Sequence, residues 1–363
     1  MEILRLAGGP GVGKSAVAWI IAQRLRSDGI RAGYVDIDQL GMCYPAPEGD
    51  PDRWALKERV LARVARGFAA TGAATLVVSG VAETRFEPPA HGYPATSVWL
   101  DAAESVRRSR LAVRDWAEEQ VTGALAAGTA ESADAHTDWR RVPTDDLTAD
   151  EVADRVIAEV EGSDDPDQAA EHELTGVSRA SGSVLWITGP RLVGASTVGW
   201  RIASERWAAG LRTGFADAAQ LAFAPDAPGL ALAGVVALHE SFAEVGAEAL
   251  VVVAPATIAP AEVTAAFPHA DVAVVRLDAD EASRRARSEQ RRAGGGPLLA
   301  GDDVAGSSDV ELEELLAASG AGVGAAPEAL VVDTSGLEAD ASADAVRAAL
   351  AADGPWSRST TRS

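Results

Sequence analysis

Short apolar runs alternate along this chain with longer stretches in which apolar residues recur every three or four positions. Ile3-Leu4-Arg5-Leu6-Ala7, Ala32-Gly33-Tyr34-Val35, Thr75–Ser79, Ser97–Leu100 and Trp139–Val142 read as strands. Thr-Leu-Val-Val-Ser at 75–79 is continuously apolar, as in a parallel sheet covered on both faces. Between these runs the helical period predicts helices over Lys14–Ser27, Arg53–Ala70, Ala102 to about Glu119, and Thr148–Val160. The second of these carries Trp54, Leu56, Val60, Leu61, Val64 and Phe68 as its apolar stripe. Thr148 with Glu151 forms a capping box at the start of the fourth. Small and polar residues from Gly123 to Asp138 suggest a loosely ordered segment. Strands alternating with helices of these lengths predict a doubly wound α/β domain.

The turn after the first strand reads Gly8-Gly9-Pro10-Gly11-Val12-Gly13-Lys14-Ser15 and fits G-x-x-x-x-G-K-[S/T]. Flanked by a strand and a helix, it predicts a loop whose backbone N–H groups from Gly8 through Ala16 face phosphate oxygens. The helix N-terminus adds partial positive charge. Gly8, Gly9, Gly11, Val12, Gly13, Lys14, Ser15 and Ala16 are the candidate nucleotide-binding residues. Lys14 reaches the terminal phosphates and the Ser15 hydroxyl ligates Mg²⁺. The formal net charge is −22 over 363 residues. Such an acidic chain disfavours nucleic acid and anionic membranes as partners, so the nucleotide site must be locally basic. One cysteine, Cys43, excludes an intrachain disulfide framework. With no leader at Met1-Glu2 and no apolar run near the roughly 20 residues of a membrane helix, a cytoplasmic protein is expected. Five histidines show no metal-ligand spacing.

From Val184 the pattern begins again. Gly194-Ala195-Ser196 stands where Gly13-Lys14-Ser15 stood, and the match continues without a gap: Trp19 with Trp200, Gly29 with Gly210, Arg31 with Arg212, Asp36 with Asp217. Later blocks keep the same order, including Leu100-Asp101 with Arg107, Arg108, Arg110 and Arg114 against Leu277-Asp278 with Arg284, Arg285, Arg287 and Arg291. A tandem duplication is expected, with domains at 1–161 and 184–356, an acidic linker at 162–183 and a polar tail at 357–363. The matched tryptophans read as core. In the second copy Lys14 has become Ala195, Gly9 Pro190, Gly11 Leu192 and Asp38 Ala219, so its loop has lost the charge and donors that phosphate needs.

The strand after the phosphate-loop helix ends Asp36-Ile37-Asp38, and residues two apart in a strand share a face. The strand ending Val77-Val78-Ser79-Gly80 lacks the downstream carboxylate of motor and transporter ATPases, and no Asn-Lys-x-Asp guanine clamp is present. By Gly8–Ser15, Asp36-Ile37-Asp38, the Leu100-Asp101 strand end and the arginine helix after it, the chain resembles the P-loop small-molecule and nucleotide kinases. That group includes adenylylsulfate, gluconate and shikimate kinases and chloramphenicol phosphotransferase.

The resemblance implies two tandem P-loop NTPase domains of α/β class, each a mainly parallel sheet flanked by helices, the second degenerate. It implies ATP or another NTP and Mg²⁺ as cofactors and phosphoryl transfer to a small hydroxylated or nucleotide-like acceptor. One of Asp36 and Asp38 would orient or deprotonate the acceptor, and the other would sit near Mg²⁺ or the substrate. Arg107, Arg110 and Arg114 would form a lid over the transferring group. Lys14, Asp36, Asp38, Arg110 and Arg114 are thus the candidate catalytic residues, and Ser15 with Asp36 the candidate Mg²⁺ ligands. The competing reading is a nucleotide-binding regulatory or scaffold protein, or a slow ATPase. In either case the two domains are expected to contact each other. Glu83 and Arg85 read as surface charges. Met42, Cys43 and Tyr44 either line a substrate pocket or pack as a loop.

Overall fold

A computed structural model describes residues 1–83, 91–112, 116–135, 138–160, 174, 176–224, 227–294, 301–320, 329–350 and 356. The first half runs β1 (Glu2–Gly8), α1 (Lys14–Ser27), β2 (Ala32–Asp36), β3 (Cys43–Tyr44), α2 (Trp54–Ala70), β4 (Thr75–Ser79), β5 (Ala95–Asp101), α3 (Glu104–Leu111), α4 (Glu118–Asp134), β6 (Arg140–Pro143) and α5 (Ala149–Val160). The second half runs β7 (Gly182–Thr188), α6 (Ala195–Ala208), β8 (Thr213–Asp217), α7 (Leu230–Glu244), β9 (Ala249–Val253), α8 (Pro260–Ala266), β10 (Ala270–Asp278), α9 (Glu281–Arg292), α10 (Asp309–Gly320), β11 (Leu330–Asp333) and α11 (Ala339–Ala349).

Two parallel sheets result. One has the order β2-β4-β1-β5-β6, and the other repeats that order as β8-β9-β7-β10-β11, with β3 added antiparallel at its β8 edge. In each, the chain crosses from the first strand to the strand two places away, returns to fill the place between, and then steps outward on the other side. The loops at the carboxyl ends of the central strands therefore face the crevice where such sheets bind ligands. Ile3, Leu6, Ile21, Phe68 and Leu76 are fully buried on the first sheet, as Leu185, Ile187, Val251 and Leu277 are on the second.

The chain forms two compact units, and each draws on both halves. The first comprises Met1–Gly41, Lys57–Leu174 and Ala222–Leu230; the second comprises Met42–Leu56, Thr175–Leu221 and Ala231–Ser363. Each unit thus takes in a short excursion from the opposite half, inserted after β2 or after β8.

Three expectations are corrected. The segment expected to be loose from Gly123 to Asp138 is largely helix α4. Its alanines favour the helix, and Val121, Leu125 and Gly128 supply one buried stripe. The arginine helix is shorter than expected, ending at Leu111, with α4 starting anew at Glu118. Trp200 is 46% exposed rather than core; it stacks edge-on against Trp207 and Phe215 at the surface of the second unit. The capping box holds: Thr148 N donates to Glu151 Oε2 at 2.8 Å, and Glu151 N to Thr148 Oγ1 at 3.2 Å. Most of the 162–183 linker and all of the 357–363 tail lie outside the described residues.

Candidate phosphoryl-transfer site

Gly8, Gly11 and Gly13 all adopt positive φ (152°, 87° and 96°), so the loop turns in a way that side-chain-bearing residues resist. A Cβ on Gly8 would overlap the Leu100 carbonyl, and one on Gly11 would lie 2.8 Å from the Arg107 carbonyl oxygen. Val12 is buried and pins the middle of the loop to the core. Gly13 is the left-handed residue before α1, so the loop runs directly into the N-terminal turn of that helix. Lys14 Nζ folds over the loop and donates to Gly8 O at 2.8 Å and Gly9 O at 3.2 Å. Its ammonium thus stands over the loop, against two of the loop's own carbonyls.

The carboxylates come together beside this loop. Asp36 ends β2; Ser15 Oγ donates to its Oδ2 at 3.2 Å, Ser79 Oγ to the same oxygen at 3.4 Å, and Asp38 N to Oδ1 at 2.9 Å. Tyr34 Oη, 2.9 Å from Ser79 Oγ, extends the network into the core. Asp38 lies past the strand end, so strand alternation does not place it. The turn brings both carboxylates against Gly80, where a Cβ would sit 3.0 Å from Asp36 Oδ1 and 3.4 Å from Asp38 Oδ2. Burial, then the Asp38 charge, pushes the Asp36 carboxyl up to about 6. Ser15 and Asp36 offer adjacent hard oxygens, a donor set suited to Mg²⁺ shared with phosphate oxygens. No group of three or more His, Cys, Asp or Glu suited to a metal occurs among the described residues.

Lys57, missed in the sequence, donates to Asp38 Oδ1 at 2.9 Å from a buried position on α2. It and Lys14 are the chain's only lysines, and it interrupts the apolar stripe of its helix. Those two signals could have found it.

The arginines divide by role. Arg110 Nη1 donates to Val12 O at 3.2 Å and Thr144 Oγ1 at 3.0 Å, and its Nη2 to Thr144 O at 2.7 Å. It ties the phosphate loop to the segment after β6 rather than standing over the carboxylates. Arg107 is buried, with Nη2 donating to Leu125 O at 2.6 Å, and its guanidinium is wedged where Gly9 meets Gly128. An open cleft of about 480 Å³ lies beside it, lined by Asp101, Glu104, Thr129, Ser132 and Arg141. This cleft is on the β5 side of the loop, away from Asp36. Arg114 and Arg85 lie outside the described residues; Glu83 follows β4.

In the second unit the corresponding turn keeps its shape, with positive φ at Gly189 (154°), Leu192 (68°) and Gly194 (88°). Its surroundings have changed. Leu192 packs against Val304, Leu312 and Leu316, and Arg191 forms a two-pronged ion pair with Asp303. Arg287 repeats the Arg110 tether, donating to Val193 O at 2.9 Å and Thr334 O at 2.6 Å. Asp217 accepts the Ala219 N–H at 3.1 Å, as Asp36 accepts that of Asp38. Cys43, considered as pocket lining, is instead buried on the edge strand of the second sheet.

No protein-family model matches the chain, and no curated protein matches it. Among solved structures it is similar to a gluconokinase from Sinorhizobium meliloti 1021, at 19% identity over 43% of this chain and 90% of that one, with a TM-score of 0.31. It is similar to a sugar kinase from Janibacter sp. HTCC2649, at 19% identity over 44% of this chain and 94% of that one, with a TM-score of 0.33. It is also similar to the tunicamycin resistance protein of Deinococcus radiodurans, at 20% identity over 46% and 99%, with a TM-score of 0.33.

Proposed function

We propose that the first unit is an NTP- and Mg²⁺-dependent phosphotransferase acting on a hydroxyl of a small acceptor. The observation carrying this reading is the convergence of Lys14, Ser15, Asp36, Asp38 and Lys57 at one edge of the first sheet. Phosphoryl transfer demands positioning and charge neutralisation more than covalent chemistry. The Gly8–Ser15 loop cradles the phosphates, and Lys14 leaves its two carbonyl partners to meet the terminal ones. Ser15 and Asp36 would hold a divalent cation, which would supply neutralisation of the phosphate charge. The hydrogen bonds that fix Asp36 leave the more exposed Asp38 to face the acceptor. There it accepts the hydroxyl proton while Lys57 holds its carboxylate in place.

In the same reading the halves are a tandem duplication and the second is catalytically silent. Matching strand order and the paired Arg110 and Arg287 tethers support this.

The test is ADP release from Mg·ATP with and without pools of sugars, sugar acids, nucleosides and hydroxylated antibiotics. Acceptor-stimulated release is expected, abolished in Lys14→Ala and reduced about 10²-fold in Asp38→Asn. A slow rate that no pool stimulates would overturn the transferase reading in favour of a nucleotide-binding regulator.

A further inference from the structure

We infer that the second unit acts as a positioning device for the acceptor side of this site, with Arg212 as its principal positioning residue; this rests on the transferase reading above. The link is the segment 42–56, which belongs to the second unit although both its ends are rooted beside Asp38.

At the first unit the two roots are tightly joined. Gly41 N donates to Asp38 O at 3.2 Å, and Lys57 Nζ bonds the Asp38 carboxylate. Gly41 and Lys57 pack so closely that a Cβ on the glycine would lie 2.7 Å from Lys57 Cγ. Whatever holds the segment between them therefore sets the backbone of one catalytic candidate and the side chain of another.

The hold lies in the second unit. Cys43 pairs with Gly214 and Tyr44 with Thr213 as an antiparallel edge strand, and Phe215 N donates to Met42 O at 2.7 Å. Arg212 clamps the next turn: Nε donates to Pro45 O at 3.0 Å, Nη2 to Ala46 O at 3.2 Å, and Nη1 to Val245 O at 2.6 Å. One guanidinium thus joins the inserted segment to the end of α7. The Tyr44 ring lies 4.9 Å from that of Trp207. Farther along, Asp50 accepts the Ala55 and Leu56 N–H groups and so caps the first turn of α2, which carries Lys57.

The insertion is repeated in the other direction. In the first unit Tyr34 N donates to Phe223 O at 2.9 Å, and Arg26 Nη2 to the same oxygen at 2.6 Å. Tyr34 and Phe215, and likewise Met42 and Phe223, stand at the same spacing as Gly13 and Gly194. A bond made twice at equivalent positions is part of the architecture. It also gives the second half a task that needs no lysine in its loop. Releasing 42–46 from Arg212 frees Gly41 and the start of α2, and with them Asp38 and Lys57, while the phosphate loop stays in place.

The test uses the full chain carrying Arg212→Ala, with Arg212→Lys as the conservative variant that keeps a cation but not the fork. Hydrogen exchange of amides at 38–42 and 56–58 is expected to rise about tenfold or more while β1 and β4 amides do not change. Mg·ATP affinity should stay within about twofold, while phosphoryl transfer falls roughly ten- to a hundredfold by misplacement of the acceptor side. Arg212→Lys should fall between, and it carries the same readouts if the alanine variant does not fold. Unchanged exchange at 38–42, or ATP affinity lost in step with rate, would overturn the inference. If the wild-type chain transfers phosphate to no acceptor, the transferase reading fails by itself, and the exchange measurement still decides whether the second unit holds Asp38.

Discussion

Replacing Glu58 by Gln removes the carboxylate from a buried charge pair on the central strand, and its cost can be worked out in two ways. Arg5 on β1 is 3% exposed, and its Nη1 and Nη2 donate to Glu58 Oε1 and Oε2, each at 2.8 Å, in a planar fork. His91 Nε2 lies 2.6 Å from Oε2 and adds an N–H donor. Burial alone would raise the Glu58 carboxyl, but the hydrogen bonds from Arg5 and His91 outweigh it and hold it down at about 2 against an ordinary 4.5. At about 1.4 kcal/mol per pH unit, that depression corresponds to roughly 3 kcal/mol of stabilisation of the ionised form. Breaking a buried pair by removing one partner costs about 3–5 kcal/mol, a range whose lower end matches that stabilisation. Because the folded value is depressed, the contribution is complete above about pH 4.5 and is lost as the pH falls toward about 2. Urea unfolding followed through protection of the β1 amides isolates the first unit in a chain whose two units need not unfold together. Glu58→Gln should be less stable by about 3 kcal/mol at pH 7 and should lack the wild-type loss between pH 4.5 and 2. A deficit under about 1 kcal/mol, or an unchanged acid limb, would refute the assignment.

Gly128→Ala improves helix propensity by about 1 kcal/mol, yet its Cβ would overlap the Arg107 guanidinium and lie 2.9 Å from Gly9 Cα. Mg·ATP binding should weaken about tenfold by titration as the phosphate loop is displaced; unchanged affinity would show that Gly9 can yield freely. In the second unit Leu192→Gly relieves about 1 kcal/mol of left-handed strain but forfeits the contacts with Val304, Leu312 and Leu316. A net loss of about 1–2 kcal/mol in thermal unfolding is expected, and a gain would mean that the cluster contributes nothing. Burial pushes the Cys43 thiol up to about 12, so iodoacetamide at pH 8 should label it only in denaturant. Rapid labelling of the folded chain would show that β3 does not stay paired.

The parallel strands and α1 were legible because they rest on local signals: continuous apolar runs, and a glycine turn that ends in a helix. Lys14–Ser27 was expected and is observed to the residue. What was not legible depends on distant partners. A two-residue strand such as Cys43–Tyr44 has no periodicity to read, and its partner Thr213–Gly214 lies in the other half of the sequence. Helix α4 was hidden because alanine and glycine carry little hydrophobic pattern, although alanine favours the helix. The matched Trp19 and Trp200 read as a shared core, yet Trp19 is only half-buried and Trp200 is exposed. Both rings pack edge-on against two aromatics instead, so matched positions point to matched packing and not to burial. Of the residues that meet here, Lys14, Ser15, Asp36 and Asp38 stand out by motif and by closeness in sequence, whereas Lys57 reaches Asp38 only through tertiary structure.

The differences between the halves sort architecture from chemistry. Arg110 and Arg287 survive in both and make the same bonds to the loop and to the threonine after the last strand, so their conservation between halves is explained by holding that loop. Asp36 and Asp217 survive in both and accept the N–H two residues on, so that part of the Asp36 role is structural as well. The residues that do not survive form a set. Lys14 faces Ala195 and Asp38 faces Ala219. With Phe68-Ala69 aligned to Phe242-Ala243, Lys57 faces Ala231. Where the first half has two cations and the carboxylate that one of them holds, the second half has alanine, while the glycines at 189 and 194 and the buried strands match. Under the duplication proposed above, independent drift has no reason to select three charges that converge in the folded first unit yet are scattered along the sequence. Loss of a shared task does, because once one charge of such a group is gone the others bring only the cost of an imperfectly paired charge. Lys57 therefore groups with Lys14 and Asp38 in the site proposed above, a grouping that neither the phosphate-loop motif nor the Asp36-Ile37-Asp38 pair reveals alone.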